Sequence, residues 1–425
     1  MPEVFAAVPD PRGGITVEEI YPANIVTMAD GSLMTERGIH STDGGRTWQR
    51  SETFVPVSSA ISRRTSYSND DESSMHESES FAQSEALGLV MLPADDAHPH
   101  GELGSYYADK WTMDTALGND TNNWFFHWSA DEGRTWSEPV QITLPGLTMS
   151  LDGTMFTLRD GRMLLVTYSQ FLGSRFDKRG KSVGLYKGIP VDTETEGHFP
   201  LAEASRVYYS DDRGRSWQAN DGWIMAWRDQ RWNEALTECS GVELKDGRIM
   251  LMGRTLTGRV FDVHSDDRGH SWWPAAQPTE LMSSYSPGRL ARIPTGNLLF
   301  VWNQVSREEI RKGFRRSRLS SAISQDEGQT WGHFKNLEAV ACLADTTYIP
   351  PDPDMSPLWG DDEVGDLPDD FGLWHYPKIS VVGEEVFVSY AWSQYEAGTD
   401  ADGNPKVNIK SGSRMRILPA EWFYR

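Results

Sequence analysis

The sequence is poor in cysteine, in basic residues and in long apolar runs, and each shortage excludes a class of protein. Its 425 residues include two cysteines, Cys239 and Cys342, which allow one disulfide at most and no cysteine-based metal framework. Lysine and arginine number 40 against 62 acidic residues, a formal net charge of −22 that disfavours nucleic acids and anionic membranes as partners. No apolar run reaches the roughly 18 residues of a membrane span. We therefore expect a soluble protein.

Targeting and cofactor signals are equally sparse. The opening residues, MPEVFAAVPDPRGG, lack the basic and apolar regions of a secretory signal, which predicts a cytoplasmic chain, although a secreted protein trimmed of its leader would look the same. No cofactor or metal is expected. His98 and His100 lack a third ligand at useful spacing, which favours a solvated loop. The acidic segment 352–370 is interpreted as a solvated connection, with a calcium site as the alternative.

One short pattern, S-x-D-x-G-x-[ST]-W, is abundant. It occurs five times, with its aspartate at Asp43, Asp131, Asp212, Asp267 and Asp326. Serine and aspartate side chains accept hydrogen bonds from backbone amides inside a tight turn, and glycine adopts the positive φ that other residues resist. The pattern therefore indicates a repeated turn in which these aspartates have a structural role.

A second turn precedes each copy of the first, and together they define a repeat. It lies at Gly31, Gly161, Gly247 and Gly296, more weakly at Gly383, and a similar break is predicted near Gly88. Alternating apolar residues between the turns predict four strands per repeat. Six such repeats are typical of an all-β, six-bladed β-propeller. The predicted blades cover about 20–50, 80–142, 149–219, 236–275, 285–334 and 374–425, the last with residues 413–424 as its outermost strand.

The repeated turn resembles the Asp-box of the sialidase (neuraminidase) superfamily, whose members are six-bladed propellers. The resemblance covers nearly the whole chain and implies a single sialidase-like domain over residues 1–425. It is specific for the fold and less so for the chemistry, because Asp-box propellers also serve as other glycosidases, lyases and binding modules.

The connectivity predicts where function lies. Successive turns of a meander fall on alternate ends of a blade, so both repeated turns share one face, and we call the opposite end the functional face. The insertions 95–123, 170–204 and 305–313 are all predicted there, as expected of functional loops on a rigid scaffold. The same rule places Glu238, Arg254, Arg316 and Tyr376 on this face.

These four positions resemble catalytic positions of sialidases. The resemblance implies Tyr376 as nucleophile, Glu238 as its base, and Arg254 and Arg316 as substrate-binding arginines, with Arg315 or Arg318 as alternatives to Arg316. A Glu238–Tyr376 hydrogen bond is predicted. The further substrate-binding candidates are Arg37, His375 and Trp227.

Two family features are missing. Where the family has its first arginine, this chain has Tyr21-Pro22-Ala23-Asn24, and the loop that carries the family's acid/base aspartate is reduced to Thr35-Glu36-Arg37. Glu36 and Arg37 are candidates for local substitution. The other candidates for the acid are Asp70, Asp71, Glu72 and Glu79.

The predicted function is a retaining exo-glycosidase that acts on a terminal, possibly acidic sugar of an oligosaccharide or polysaccharide, and not on ordinary sialic acid. The alternatives are a lyase for uronate polysaccharides and a non-catalytic glycan-binding propeller. Structural interpretations also stay open: a buried Glu238–Arg254 ion pair, a core Tyr376, and inter-blade packing rather than sugar stacking for Trp223, Trp227 and Trp232.

Overall fold

The computed structural model describes most of the chain and shows an all-β protein. The described residues are 4–21, 23–57, 87–99, 101–108, 112–114, 119–121, 123–144, 154–172, 183–193, 202–229, 232–356 and 363–425. Within these ranges, no helix has the length and apolar character needed to cross a membrane.

Among the described residues, six antiparallel sheets follow one another around a common axis. Their first strands are neighbours in cyclic order, so that blade 6 returns to blade 1, and a separate apolar cluster fills each of the six interfaces between blades. The strands are Ile25–Thr27, Leu33–Thr35, Ile39–Ser41 and Thr47–Arg50 in blade 1; Leu87–Leu92, Glu102–Ala108, Trp124–Ser129 and Val140–Gln141 in blade 2; Thr154–Thr157, Met163–Leu172, Ala202–Ser210 and Gln218–Ala219 in blade 3. They continue with Thr237–Glu243, Ile249–Arg254, Arg259–Ser265 and Gln277–Met282 in blade 4; Arg289–Arg292, Leu298–Trp302, Arg318–Ser324 and Gly332–Ala339 in blade 5; Gly372–Val382, Glu385–Thr399 and Pro405–Pro419 in blade 6.

The fourth strand of blade 6 comes from the beginning of the described chain, which corrects one prediction. Ile15–Glu18 pairs antiparallel with Pro405–Pro419, so the C-terminal segment forms the third strand and not the outermost one. The sequence leaves this open because Ile15–Glu18 carries no repeat signal and its partner lies about 400 residues away. Two short strands extend the closure: Val8–Pro9 pairs with Ile15–Glu18, and Val4–Ala6 pairs with Thr47–Arg50 of blade 1.

The five repeated turns have one common geometry. In the turn of blade 4, the Asp267 carboxylate accepts hydrogen bonds from the Ser271 amide at 2.9 Å and from the Ser271 and Ser265 hydroxyls. The tryptophan of each turn packs into the cluster shared with the preceding blade; for example, Trp48 lies with Phe387 of blade 6. Trp48 is fully buried, whereas Trp272 is only partly buried at the edge of its cluster.

Two predictions about blade 2 are wrong. Gly88 lies inside the strand Leu87–Leu92, where it makes room for the Tyr106 ring, instead of marking a turn. Leu87–Leu92 and Glu102–Ala108 are adjacent antiparallel strands, so their connection, and with it the first part of the predicted insertion 95–123, lies on the Asp-box face. There the Glu102 carboxylate accepts a hydrogen bond from Arg213 of blade 3 at 2.9 Å.

Additional elements extend from the blades on the functional face. They are the hairpins Thr112–Asp114 with Asn119–Thr121 and Met225–Asp229 with Trp232–Ala235, and the helix Arg307–Arg311. A three-stranded sheet, which we call the cap, joins Val183–Tyr186 and Ile189–Asp192, inserted in blade 3, to Glu363–Leu367, which precedes blade 6. Two single-turn 3₁₀ helices, Ala341–Leu343 and Ala420–Tyr424, follow blades 5 and 6.

Candidate active site

The two predicted catalytic residues occupy equivalent places in blades 4 and 6. Each first strand carries one extra residue near its start, between Thr237 and Ser240 in blade 4 and between His375 and Lys378 in blade 6. Glu238 and Tyr376 directly follow Thr237 and His375 in these bulges, and both have a left-handed backbone, with φ of 49° and 54°. Such a conformation costs free energy in a non-glycine residue and concentrates at functional sites, where bulges redirect side chains.

Glu238 and Arg254 form a buried ion pair. The Arg254 Nε atom lies 2.8 Å from Glu238 Oε2, with side chains only 9% and 4% exposed. Arg254 also donates to the Tyr285 carbonyl at 3.2 Å and stacks over the Tyr285 ring at 4.0 Å. This contact fits both interpretations of the pair, the structural one of a buried ion pair and the functional one of a catalytic base beside a substrate-binding arginine. It holds the Arg254 guanidinium in one orientation on the functional face.

Arg316 lies beside Tyr376. Its guanidinium carbon is 5.4 Å from the Tyr376 ring centroid, and its carbonyl accepts the Trp374 amide at 2.8 Å, which ties blade 5 to blade 6 at this point. Tyr376 is partly exposed. Arg318, one of the alternatives to Arg316, is fully buried and donates to Glu309 at 2.7 Å, so it has a structural role.

Glu36 is a buried carboxyl group on the same face. It lies between the second and third strands of blade 1 and accepts a hydrogen bond from the Asn24 amide at 3.1 Å. Burial raises the pKa of Glu36 to about 7, although the charges of Arg37 and Lys378 oppose the shift. Lys378, whose charge acts on Glu36, is two residues after Tyr376 in the first strand of blade 6. A carboxyl group with this pKa can donate a proton near neutral pH.

Sequence reasoning missed Arg289. This buried arginine opens the first strand of blade 5, between Glu238 and Tyr376 in blade order, and its Nη1 atom donates to the Gly288 carbonyl at 3.0 Å and lies 3.5 Å from the Glu238 carbonyl. An alignment of the six first strands by position would have found it. The neighbouring Gly288 is required because a Cβ atom there would lie 2.2 Å from the Phe300 ring.

The remaining candidates have different surroundings. Arg37 stacks over the Tyr21 ring at 3.9 Å, and His375 is buried beside Tyr376. The Trp227 and Trp232 side chains, Asp70, Asp71, Glu72, Glu79 and His100 lie outside the described residues. Trp223 stacks with Arg206 at 4.6 Å.

His98 pairs with Asp95, its Nδ1 atom 2.9 Å from Asp95 Oδ1, on the Asp-box face. Among the described residues, no three His, Cys, Asp or Glu side chains converge as metal ligands. Cys239 is a buried free thiol and Cys342 an exposed one.

The hydrogen bond between Glu238 and Tyr376 stays a prediction.

Comparison with known families agrees with this repeat architecture. Residues 183–388 match the BNR repeat-like domain, and residues 39–50 match a BNR/Asp-box repeat. These two matches support a relationship to the sialidase-like BNR/Asp-box repeat proteins. This Asp-box propeller is also similar to a sialidase of Micromonospora viridifaciens, at 26% identity over 197 residues. That match covers 41% of this chain and 28% of the length of the relative.

Similar solved structures include sialidases and a protein of unknown function. Trypanosoma rangeli sialidase in complex with the inhibitor DANA is 11% identical, with a TM-score of 0.45 over 97% of this Asp-box propeller and 57% of that chain. The NanB sialidase from Streptococcus pneumoniae is 12% identical, with a TM-score of 0.41 over 98% and 90%. The protein of unknown function, from Dyadobacter fermentans, is 16% identical, with a TM-score of 0.40 over 78% and 94%.

Proposed function

We propose that this protein is a retaining exo-glycosidase that removes a terminal sugar carrying an anionic group. The observation that carries the proposal is the placement of Glu238 and Tyr376 at equivalent, left-handed bulge positions on the functional face, each beside an arginine. A glycan-binding module needs aromatic and cationic side chains, but it has no need for a strained carboxylate and a strained phenol in this arrangement. The sialidase named among the relatives supports the same class of reaction.

Tyr376 is the proposed nucleophile. Its phenol oxygen attacks the anomeric carbon, Glu238 accepts the phenol proton, and the bond to the leaving oxygen breaks, which leaves a glycosyl-tyrosine intermediate that water then hydrolyses. A neutral nucleophile suits an anionic sugar because a carboxylate nucleophile would be repelled by the substrate's charge. Arg254 and Arg316 are the proposed partners of that charge, since planar guanidinium groups bind carboxylates in bidentate fashion.

Glu36 is the proposed proton donor to the leaving group. It occupies the short loop of blade 1 where the family's acid is missing, and with a pKa of about 7 a substantial fraction of Glu36 is protonated at neutral pH. After the glycosyl-enzyme forms, the resulting carboxylate accepts a proton from the attacking water, which restores the acid for the next cycle.

The proposal is tested by a substrate screen. Purified protein is incubated with aryl glycosides of neutral and acidic sugars and, separately, with uronate polysaccharides, while aglycone release, reducing ends and absorbance from a new double bond are recorded. We expect aglycone release from an acidic glycoside with the product anomer first formed matching that of the substrate. Absorbance from a new double bond would show that the protein is a lyase and not a hydrolase. Binding of glycans without any turnover would favour a non-catalytic binding module.

Tyr376→Phe then tests the nucleophile on the substrate found. We expect kcat to fall by about 10³-fold or more while the substrate dissociation constant stays nearly unchanged, because only bond formation needs the hydroxyl. Tyr209→Phe is the matched control: its hydroxyl lies 3.2 Å from Gln218, at the Asp-box end of blade 3. Normal turnover in Tyr376→Phe would refute the tyrosine mechanism.

A further inference from the structure

The cap has an apolar core of its own, separate from the six clusters between blades. Tyr186 is its central residue: the ring is 2% exposed and packs against Leu367, Phe371 and Tyr395. Its hydroxyl donates to the Tyr395 carbonyl at 2.6 Å and lies 2.9 Å from the Asp369 carbonyl. A hairpin inserted in blade 3 is thus fixed to blade 6, which lies on the opposite side of the ring.

The apolar core of the cap includes residues that lie two or three positions before Arg316 and Tyr376 in the chain. Phe314, two residues before Arg316, and Leu373, three residues before Tyr376, both pack in it. Between them, the Trp374 amide donates to the Arg316 carbonyl. Gly313 also contacts the cap, since a Cβ atom there would lie 2.7 Å from Val364. The segments that lead into Arg316 and Tyr376 are therefore held by the cap as well as by their own blades.

We propose that the cap keeps Arg316 and Tyr376 in register and that Tyr186 is the positioning residue that locks it. The left-handed bulge at Tyr376 is costly for a non-glycine residue and persists only if its surroundings enforce it. The cap supplies such enforcement from outside the blade. Tyr186 itself acts through Phe371, Leu373 and Tyr395 and takes no part in bond making.

Hydrogen exchange tests the positioning role without any substrate. The Trp374 amide reports directly on the contact between the two site segments. In Tyr186→Ala we expect this amide to exchange about tenfold faster or more, while the Ser271 amide, held by Asp267 on the other face, is unchanged. Tyr348→Ala is the matched control, because Tyr348 is exposed and packs on Phe334 outside the cap. Unchanged Trp374 exchange in Tyr186→Ala would overturn the proposal.

Tyr186→Phe carries the same test with the ring retained, should the alanine variant not fold. It removes only the hydroxyl bonds to blade 6, and we expect a smaller increase in Trp374 exchange than in Tyr186→Ala; equal exchange to the wild type would count against the hydroxyl as the lock.

An activity test rests on the proposed function and separates the two ideas. On the substrate found in the screen, and at a temperature well below the melting temperature of each variant, Tyr186→Ala is expected to lower kcat at least tenfold and Tyr186→Phe to recover part of the loss. Wild-type kcat in Tyr186→Ala beside an inactive Tyr376→Phe would refute the cap's role and leave the glycosidase intact. Faster Trp374 exchange in Tyr186→Ala, in a protein that turns over no glycoside, would support the cap's role and refute the glycosidase proposal.

Discussion

Replacement of Trp48 by alanine tests how the ring of blades closes. Trp48 is fully buried between blades 6 and 1, with Val17, Phe387 and Ile417 around it, and its Nε1 atom donates to the Gly45 carbonyl at 2.8 Å. Truncation of a buried tryptophan costs about 3–5 kcal/mol, and the abandoned carbonyl adds about 1 kcal/mol. We therefore expect the free energy of unfolding to fall by about 4–6 kcal/mol.

The effect is measurable as a melting temperature. An unfolding entropy of about 2.1 cal/mol/K per residue gives roughly 0.9 kcal/mol/K for 425 residues, so Tm should drop by about 4–7 °C. Trp273→Ala is the control, because that side chain is 40% exposed and lies away from the closure; its Tm should change by about 2 °C at most. Equal shifts in the two variants, read by differential scanning calorimetry, would refute the closure argument.

Three further predictions concern charge and close packing. In the wild type we expect activity to fall as pH rises through about 7, because Glu36 loses its proton. Glu36→Gln should abolish this pH dependence and should lower the rate most for glycosides with poor leaving groups. An unchanged pH–rate profile would exclude Glu36 as the acid. Burial would raise the pKa of Glu338, but hydrogen bonds, first among them that from Arg12, hold it below its ordinary value of 4.5. The ionised Glu338 carboxylate therefore stabilises the folded protein above about pH 4.5, and this contribution is lost on acidification. Glu338→Gln should lower Tm at pH 7 and make Tm less dependent on pH in the acid range. Thermal melts at several pH values would reveal both effects. Gly214→Ala places a Cβ atom 2.2 Å from the Phe126 ring at a φ of 83°, so its Tm should fall by several degrees; a Tm equal to that of Gly161→Ala, where nothing lies within 4 Å, would contradict this.

The fold was predictable where the chain repeats itself. In a turn such as Ser265–Trp272, the Ser265 and Asp267 side chains bond amides and hydroxyls within the same eight residues, so the conformation follows from local sequence. Two pairings join segments that are far apart in the chain. Ile15–Glu18 pairs with Pro405–Pro419, about 400 residues later, and Val183–Tyr186 pairs in parallel with Glu363–Leu367, about 180 residues later. Nothing local identifies such partners, and both were missed.

The site was predictable by position but not by environment. Strand order was enough to place Glu238 and Tyr376 on one face, because alternate turns of a meander fall on alternate ends. Their left-handed backbones come from bulges, which depend on the neighbouring strand. The burial that shifts the pKa of Glu36 is likewise a tertiary property, so the sequence could name this residue only as one candidate among several.

The most direct test of the central claim is to trap the intermediate. The protein is incubated with the fluorinated analogue of its best glycoside, which slows hydrolysis of the glycosyl-enzyme, and then digested and analysed by peptide mass spectrometry. The tyrosine mechanism predicts one glycosyl group on Tyr376 and none in Tyr376→Phe. A glycosyl group on Glu36, Glu238 or another carboxylate, in protein that turns over the parent glycoside, would contradict it.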